Sequence, residues 1–557
     1  MAKSLSWAVW IGGGLVLVAA FLLADAGTGS SLAPRWVAVY VGAICALVLL
    51  SCQRRISLDS VDILGLGFLC WAALSLLWSP DWKSGLLSLQ NLLALFAIAW
   101  FVRHRQYIDK VIPVALVIGL WGAAILGAIW PQVYGGFGNE NFIAEFVIAA
   151  TALLMAVKWR WKHANIAILA TVVVSLVYLV AFNHSHLKYL AAGGCLVALG
   201  WLAYKHRYWV FIPALGLVAL VGCLGLLLDS NHLDQVTKSL TDRAEIWLNT
   251  GAMIWHNPVL GVGIGGFDYA YPRIAHIGLL GNHTFLGEPT DFVGAAHNEY
   301  LQLWAELGFI GMVIAGLLVW QVLRWGSGPG RFCLFMIGVM ALVGFPLQNP
   351  ACAIVAALAV GLAARGRGWC VVPVTPGNLG GLLALPLAFS AWLFYEGQTQ
   401  TQYVHRLMQH SPVHALQAHL NALDTFDLHP WTRLQASLTL AVVVRTYPPN
   451  QVDLDPLAAD RMHEISMSAV PNHPGILITR VEYLLNSGRH AESDEIEHLL
   501  DTLKDTGRLY AESWALEALY AGFKQDEPRM EHAVLQAFQL PRAEQVFETL
   551  GLLKRES

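Results

Sequence analysis

Apolar runs long enough to cross a membrane alternate with short polar connections along the first 395 residues. A bilayer core is about 30 Å thick, so a spanning helix needs roughly 20 mostly apolar residues, and about 12–13 runs here approach that length. The pattern therefore predicts an all-α, polytopic membrane protein. The predicted spans lie near residues 7–24, 36–51, 61–78, 86–102, 111–130, 141–157, 164–182, 189–204, 209–228, 300–323, 332–347, 350–364 and 371–395.

Two polar stretches interrupt this pattern and divide the chain into four predicted domains. Residues 229–298 form a long loop, and residues 396–557 form a charged, His-rich tail with apolar positions at helical spacing. An amino-terminal bundle of about nine helices (1–228) precedes the loop. Further transmembrane helices (299–395) separate the loop from the soluble helical tail.

The tail shows a weak repeat of helix pairs. Residues 462–500 predict one pair with its turn at Gly488, and a second pair follows at about 507–540. This spacing resembles a degenerate tetratricopeptide array, and a generic helical domain is the alternative. Such arrays more often bind partners than do chemistry, so the tail is a candidate docking domain for an envelope protein.

Lys and Arg residues are concentrated in every second connection. The basic connections lie near residues 54–55, 103–110, 158–162, 205–207, 324–331 and 365–367. The positive-inside rule then places the amino terminus in the cytoplasm and the 229–298 loop outside. An odd number of spans puts the tail outside as well. The 7–24 run lacks a small-residue cleavage site, so it is expected to be a retained helix.

Composition excludes several classes of function. Only 13% of residues are charged, against roughly 25% in an ordinary soluble domain. The net charge of −4 and the absence of a Lys/Arg-rich run argue against a nucleic-acid partner. All eight cysteines lie in or beside apolar spans, which argues against a disulfide framework. Common metal, nucleotide and serine-hydrolase motifs are missing, so no cofactor and no metal site are predicted.

A polar stripe follows one face of the helix after the long loop. Asn298, Gln302 and Glu306 are four residues apart, and His297 and Glu299 flank the outer end of that face. Polar residues inside a membrane are costly, so the stripe is expected to face a polar, substrate-binding cavity. The alternative is a buried, hydrogen-bonded packing seam.

Two further polar clusters lie on the predicted outer side. Asn139 and Asn141 follow a glycine-rich turn at the mouth of a helix, where they could contact an anionic substrate or cap the helix. His186 and Lys188 precede another span. An anionic ligand would offset the cost of a cation at Lys188, and snorkelling of the side chain to the surface would do the same.

Arg243 is the candidate phosphate ligand of the long loop. It is expected near the start of an amphipathic helix on the membrane surface, with Trp247 and Trp255 facing the interface. A guanidinium binds phosphate oxygens in a bidentate manner. The alternative is a surface ion pair with Asp242 or Glu245.

Three motifs, taken in this order, resemble the O-antigen ligase/polymerase (Wzy-C) superfamily of bacterial membrane glycosyltransferases. They are FGNENF at 137–142, SLTDRAEIW through NPVLGVGIGGF at 239–267, and HNEYLQLWAELGFIG at 297–311. The resemblance covers roughly residues 60–365 and implies that His297 activates an acceptor hydroxyl while Arg243 holds a diphosphate. A further Arg of the family has no exact equivalent, and Lys188 or His186 would substitute for it.

The resemblance implies a metal-independent, inverting transferase in the bacterial inner membrane. It would move a glycan from undecaprenyl diphosphate to a hydroxyl of lipid A-core on the periplasmic side, among membrane lipids. A polysaccharide polymerase and a protein O-oligosaccharyltransferase are alternatives with the same chemistry. A transporter is the alternative from another class, because it too would carry a polar stripe in the membrane.

Overall fold

The structure is a computed structural model that covers most of the transmembrane region and the carboxyl-terminal helices. The predicted spans 189–204 and 209–228 lie outside the described residues, as do Asn139, His186 and Lys188. The described residues are 2–23, 32–51, 55–104, 109–130, 140–157, 164–182, 230–274, 293, 295–325, 330–365, 370–373, 384–393, 474–486, 488, 493–506, 510–540, 542–550 and 552, with isolated positions between 395 and 467.

Helices make up nearly all of the described structure, which confirms the all-α class and the multi-pass membrane architecture. Three of them, Trp82–His104, Val111–Ile129 and Glu299–Arg324, have the length and apolar composition of a membrane-spanning helix, and shorter apolar helices accompany them. In chain order the helices are α1 (Ala2–Leu22), α2 (Leu32–Ser51), α3 (Ser60–Ser75), α4 (Trp82–His104), α5 (Val111–Ile129), α6 (Glu140–Ala156), α7 (Ala164–Phe182), α8 (Ser230–His256), α9 (Phe267–Ile274), α10 (Glu299–Trp325), α11 (Gly330–Met340), α12 (Pro350–Ala363) and α13 (Ala384–Leu393).

Helix α12 lies at the centre of the bundle. It is rich in Ala and apolar on every face, and almost all of its residues are buried against α4, α6 and α11. A helix that is apolar all round is expected in a core rather than at a surface. Its start is fixed by Asn349, whose side chain accepts a hydrogen bond from the Ala351 amide, and by Pro350 in the first turn.

The predicted boundary of the helix before α12 is wrong. The predicted span 332–347 ends as a helix at Met340, and residues 341–349 form turns that contain Pro346. A proline lacks the amide that a helix needs and disfavours helix in the residue before it, so the helix stops ahead of it. These nine residues are called the outer turn below, because they join α11 to α12 at the end of the bundle that is predicted to face outward.

The predicted span 371–395 is wrong over its first residues. Cys370–Pro373 form a short strand, β2, that pairs antiparallel with β1 (Arg55–Leu58), so that Leu58 lies opposite Cys370. The adjacent β-branched residues Val371 and Val372 favour this extended conformation. The described helix in this region begins only at Ala384.

A buried ion cluster lies beside this two-stranded ribbon. Arg103, at the end of α4, forms ion pairs with Asp59, at 2.6 Å, and with Asp62. Asp59 also caps α3 by accepting the backbone amides of Val61 and Asp62. The ribbon and this ion cluster are therefore both formed by connections between helices that were predicted to be cytoplasmic.

Helix α10 is broken at Gly308, although the sequence pattern predicts one continuous apolar helix. Gly308 has φ of 67° and ψ of −172°, outside the helical region. Around the break, the carbonyl of Leu307 accepts the indole N–H of Trp71 at 2.9 Å, and the amide of Phe309 donates to Pro258 at 2.9 Å. At the break, hydrogen bonds within the helix are replaced by hydrogen bonds from α10 to α3 and to the segment after α8.

The tail contains helices at the predicted positions. Gly488 has φ of 71° and lies in the turn between the first two, which confirms the predicted turn. The two pairs pack on cores of Leu, Tyr and Ala side chains. The resemblance to a tetratricopeptide array stays a prediction. The helices are α14 (Pro474–Asn486), α15 (Ser493–Thr506), α16 (Ala511–Lys524), α17 (Glu527–Phe538) and α18 (Ala543–Thr549).

Candidate functional site

Helix α8 presents Arg243 to the bundle from within the long loop. The helix is amphipathic: Ile246 and Met253 are buried against α9 and the start of α10, while Trp255 is 84% exposed. The predicted helix is therefore present, but it begins at Ser230, so that Arg243 lies well inside it. Trp255 has the exposure expected of an interfacial anchor, whereas Trp247 is half-buried and so less exposed than an interfacial anchor would be.

His297 and Asn298 lie immediately before α10. Asn298 is the helix cap, because its Oδ1 accepts the amides of Tyr300 and Leu301, both at 3.0 Å. Its Nδ2 donates to the Leu342 carbonyl at 3.0 Å. His297 has φ of 50°, in the left-handed region that few non-glycine residues adopt. The cap and this backbone conformation together fix the direction in which the imidazole leaves the chain.

The outer turn supports both candidate catalytic residues. The carbonyl of Val343 accepts a hydrogen bond from Nη1 of Arg243 at 2.5 Å. Two residues further on, the Phe345 ring packs edge-on against the imidazole of His297, with 4.9 Å between ring centroids. Glu299 is held by the same turn, since its Oε1 accepts the Leu347 amide at 2.9 Å. Side chains from two separate motifs of the sequence therefore meet at one turn.

The electrostatics of the pair favour a neutral imidazole beside a cation. Burial and the positive charge of Arg243 together lower the pKa of His297 to about 4, from an ordinary value of 6.5. Burial also lowers the pKa of Arg243, whereas the nearby carboxylate of Glu145 raises it. At neutral pH the site therefore offers an uncharged base and a guanidinium.

Gln302 and Glu306 use their polar atoms on the protein itself. Glu306 accepts the Gly265 amide at 2.9 Å and the side-chain amide of Gln302 at 3.1 Å. Gln302 in turn accepts the Ala296 amide at 3.1 Å and the side chain of Gln348 at 3.0 Å. These contacts agree with the packing-seam alternative, and the predicted role of the two residues in binding substrate stays a prediction.

The glycine-rich segment after α8 packs against the backbone of α10 at Glu306. Gly261 has φ of 71°, and a Cβ there would overlap the carbonyl of Glu306. The amide of Gly263 donates to that same carbonyl at 2.8 Å. The segment therefore packs backbone-to-backbone on α10, which only glycine permits at such a distance. In this structure the motif is a packing device that joins the loop to the first turns of α10.

Glu145 is the site residue that sequence reasoning missed. It is 1% exposed on α6, and its Oε1 lies under Gly344 of the outer turn. The sequence contained a signal for it, because a single carboxylate within an apolar span is costly unless it has a polar or charged partner. Asn141, which was predicted to bind substrate, is half-buried one helical turn earlier on the same face.

Some of the remaining residues predicted for the site lie within the described part of the chain and others lie outside it. Asp242 and Glu245 were the alternative partners of Arg243, and the hydrogen bond of Arg243 in the described part of the chain goes to Val343 instead. Glu245 is buried on α8. Asn139, His186 and Lys188 lie outside the described residues, so their predicted roles stay predictions. Within the described residues, no three His, Cys, Asp or Glu side chains are grouped so as to hold a metal ion.

Comparison with known families gives one match. A family model described as O-antigen ligase matches residues 171–316. This range contains two of the three motifs, and with them Arg243 and His297, whereas FGNENF precedes it. No curated protein matches the chain. The family match confirms the recognised superfamily and supports an O-antigen ligase-like function for this multi-pass membrane protein.

Proposed function

We propose that this protein transfers a glycan from undecaprenyl diphosphate to an acceptor hydroxyl at the outer face of the bacterial inner membrane, and the match of residues 171–316 to the O-antigen ligase family model supports this proposal. One observation carries the proposal. The candidate phosphate ligand Arg243 and the candidate base His297 come from motifs far apart in the chain, and both contact the outer turn.

The proposed reaction is a direct displacement at the anomeric carbon. His297 accepts the proton of the incoming hydroxyl, and the hydroxyl oxygen forms the new bond to that carbon as the bond to the diphosphate oxygen breaks. The diphosphate leaves with the electron pair, and Arg243 stabilises the negative charge that develops on it. Attack opposite the leaving group inverts the anomeric centre.

Donor binding would also prepare the base. Arg243 is one of the two causes of the low pKa of His297. A diphosphate bound to the guanidinium cancels much of its positive field, so the pKa of His297 rises and the imidazole becomes a stronger base. The base is therefore strongest when a donor is in place, which would favour transfer over unproductive deprotonation in the empty site.

The direct test is transfer by the purified protein in detergent with EDTA present. A radiolabelled undecaprenyl-diphosphate glycan is offered with lipid A-core, with excess unlabelled donor, or with a Ser/Thr peptide. Release of undecaprenyl diphosphate together with a labelled product of increased mass supports the proposal, and the product identifies the acceptor. If donor remains intact with all three acceptors, the proposed transferase is wrong and transport of the glycan across vesicles becomes the next measurement.

The pH dependence of transfer provides a prediction from the same geometry. A base must be neutral to accept a proton, so activity is lost as pH falls through the pKa of His297. For the free protein, we expect the acid limb of kcat/KM near pH 4, because that is the lowered pKa. The acid limb of kcat, which reports the donor complex, should lie at higher pH.

The variant Arg243→Gln tests the cause of that low pKa. Removing the guanidinium should move the acid limb of kcat/KM upward, though not to the ordinary value of 6.5, because burial is the larger cause. Arg243→Lys keeps the charge and should keep the acid limb near its native position while weakening donor binding. An unchanged acid limb in Arg243→Gln would contradict the coupling of the two residues.

A further inference from the structure

The way in which the imidazole of His297 is held carries an inference that rests on the proposed function and extends it. The left-handed backbone of His297 fixes where its side chain begins, but the ring can still rotate about two side-chain bonds. A histidine that acts as a general base is commonly oriented by a hydrogen bond to its second ring nitrogen. Among the described residues, no group forms a hydrogen bond with this imidazole. A different contact must therefore set the direction of the ring.

Two phenylalanines, called the aromatic pair below, supply that contact. The ring of Phe345 lies 4.9 Å from the imidazole of His297, with an angle of 66° between the ring planes. On Phe345 in turn packs Phe142, at 5.3 Å and 86°. Edge-to-face packing at roughly 4.5–7 Å is an arrangement that aromatic rings prefer. The three rings therefore form a continuous row that begins in α6 and ends at the candidate base.

The row is fixed at both ends of the outer turn. Before Phe345, the carbonyl of Leu342 accepts a hydrogen bond from Nδ2 of Asn298 at 3.0 Å. After it, Nδ2 of the fully buried Asn349 donates to the carbonyl of Phe142 at 2.8 Å. Phe142 itself is only 9% exposed. The ring that contacts the imidazole is thus held between two bonded points, and the ring behind it belongs to the core.

We propose that Phe345, supported by Phe142, is a positioning residue that aims the imidazole of His297 at the incoming hydroxyl. The ring takes the part that a hydrogen-bonded carboxylate or amide takes in other histidine bases, and it does so by packing. Because an error of about 1 Å in the position of a catalytic group can cost a factor of about 10² in rate, the contact matters for transfer. The FGNENF motif then contributes to the site through Phe142, its last residue.

The substitution Phe345→Leu tests this role through the kinetics of transfer. It removes the ring and keeps an apolar side chain, so kcat should fall by a factor of about 10–10² because the imidazole is no longer aimed. The KM for the donor should stay near its native value, since the contact of Arg243 with the turn is to the backbone carbonyl of Val343. Phe345→Tyr keeps the ring and should retain most of the transfer.

Nuclear magnetic resonance of the full chain in detergent gives a second readout that needs no transfer. With ¹³C-labelled histidine, the signal of His297 is the one that the His297→Ala protein lacks. In Phe345→Leu the ring protons of His297 should shift, because the neighbouring aromatic ring is gone. Burial is the larger cause of the low pKa of His297, so uncovering the imidazole should raise that pKa from about 4 toward 6.5. Phe345→Tyr should leave both quantities near their native values.

Phe142→Leu and a matched control complete the design. Phe142→Leu should lower kcat less than Phe345→Leu does, and the double variant should equal Phe345→Leu, because Phe142 acts through Phe345. This variant also keeps the test available if the Phe345→Leu protein fails to fold. Phe335→Leu is the control. Phe335 is 60% exposed on α11, and its replacement should leave transfer and the His297 signal native.

Two results overturn the inference and leave the proposed function intact. One is a native kcat in folded Phe345→Leu, whether or not the KM for the acceptor rises. The other is a loss of transfer in which the ring protons and the pKa of His297 stay native, because the lesion then lies elsewhere. A separate result tests the function itself. If His297→Ala transfers glycan as well as the native protein does, the proposed base is wrong and the inference falls with it.

Discussion

The variant His297→Ala is expected to lose glycan transfer by a factor of about 10²–10⁴, which is the usual contribution of a positioned general base. The imidazole is held edge-on against Phe345 and beside Arg243, and alanine supplies no proton acceptor at that position. Transfer from undecaprenyl-diphosphate glycan in detergent measures the loss. Donor binding should change by less than transfer, because Arg243 remains.

His256→Ala is the matched control for this experiment. His256 ends α8 on an exposed surface, in the same predicted outer region, and it should tolerate the substitution with native activity. Native levels of the His297→Ala protein in the membrane would show that the loss is chemical. Full transfer by His297→Ala would refute the base role, whatever the acceptor.

The second large effect is expected from Gly308→Ala, which should destabilise the protein by roughly 2–5 kcal/mol. The residue has φ of 67°, and a Cβ would overlap the carbonyl of Val259. The added methyl group therefore meets backbone and cannot be relieved by a change of side-chain rotamer. Thermal unfolding in detergent measures the loss. Transfer activity should fall as well, because the segment after α8 is attached at this break.

Gly316→Ala in the same helix provides the comparison. Gly316 is exposed on the second half of α10 and has no heavy atom within 4 Å of an added Cβ. Alanine is the better helix former by about 1 kcal/mol, so this variant should be as stable as the native protein or slightly more stable. Equal stability of the two variants would show that the break at Gly308 is not constrained.

Hydrophobic periodicity predicts most of the fold because spanning length and apolar composition are local properties. Helices α4, α5 and α12 lie close to their predicted boundaries for this reason. The break at Gly308 and the ribbon at Cys370–Pro373 depend on what the chain packs against elsewhere. Because the sequence around Gly308 is apolar on both sides, the pattern alone continues the helix through it.

The candidate site likewise has one part that the sequence predicts and another part that depends on tertiary contacts. Arg243 and His297 could be proposed from residue chemistry and the motif resemblance, since a guanidinium and an imidazole near an outer surface suggest phosphate and proton chemistry. The contribution of the outer turn could not be predicted from the sequence, because the turn supplies backbone carbonyl and amide groups that any residue carries. Glu145 follows the FGNENF motif by three residues, but its electrostatic effect on Arg243 acts between positions more than 90 residues apart in the chain.

The left-handed backbone of His297 implies a trade-off between stability and activity. A histidine at φ of 50° costs free energy that asparagine or glycine would largely avoid. Evolution toward stability alone would therefore replace this residue. His297→Asn is expected to melt at a temperature at or above that of the native protein while it no longer transfers glycan. At this position the chain keeps a residue with an unfavourable backbone free energy because its side chain serves the proposed chemistry.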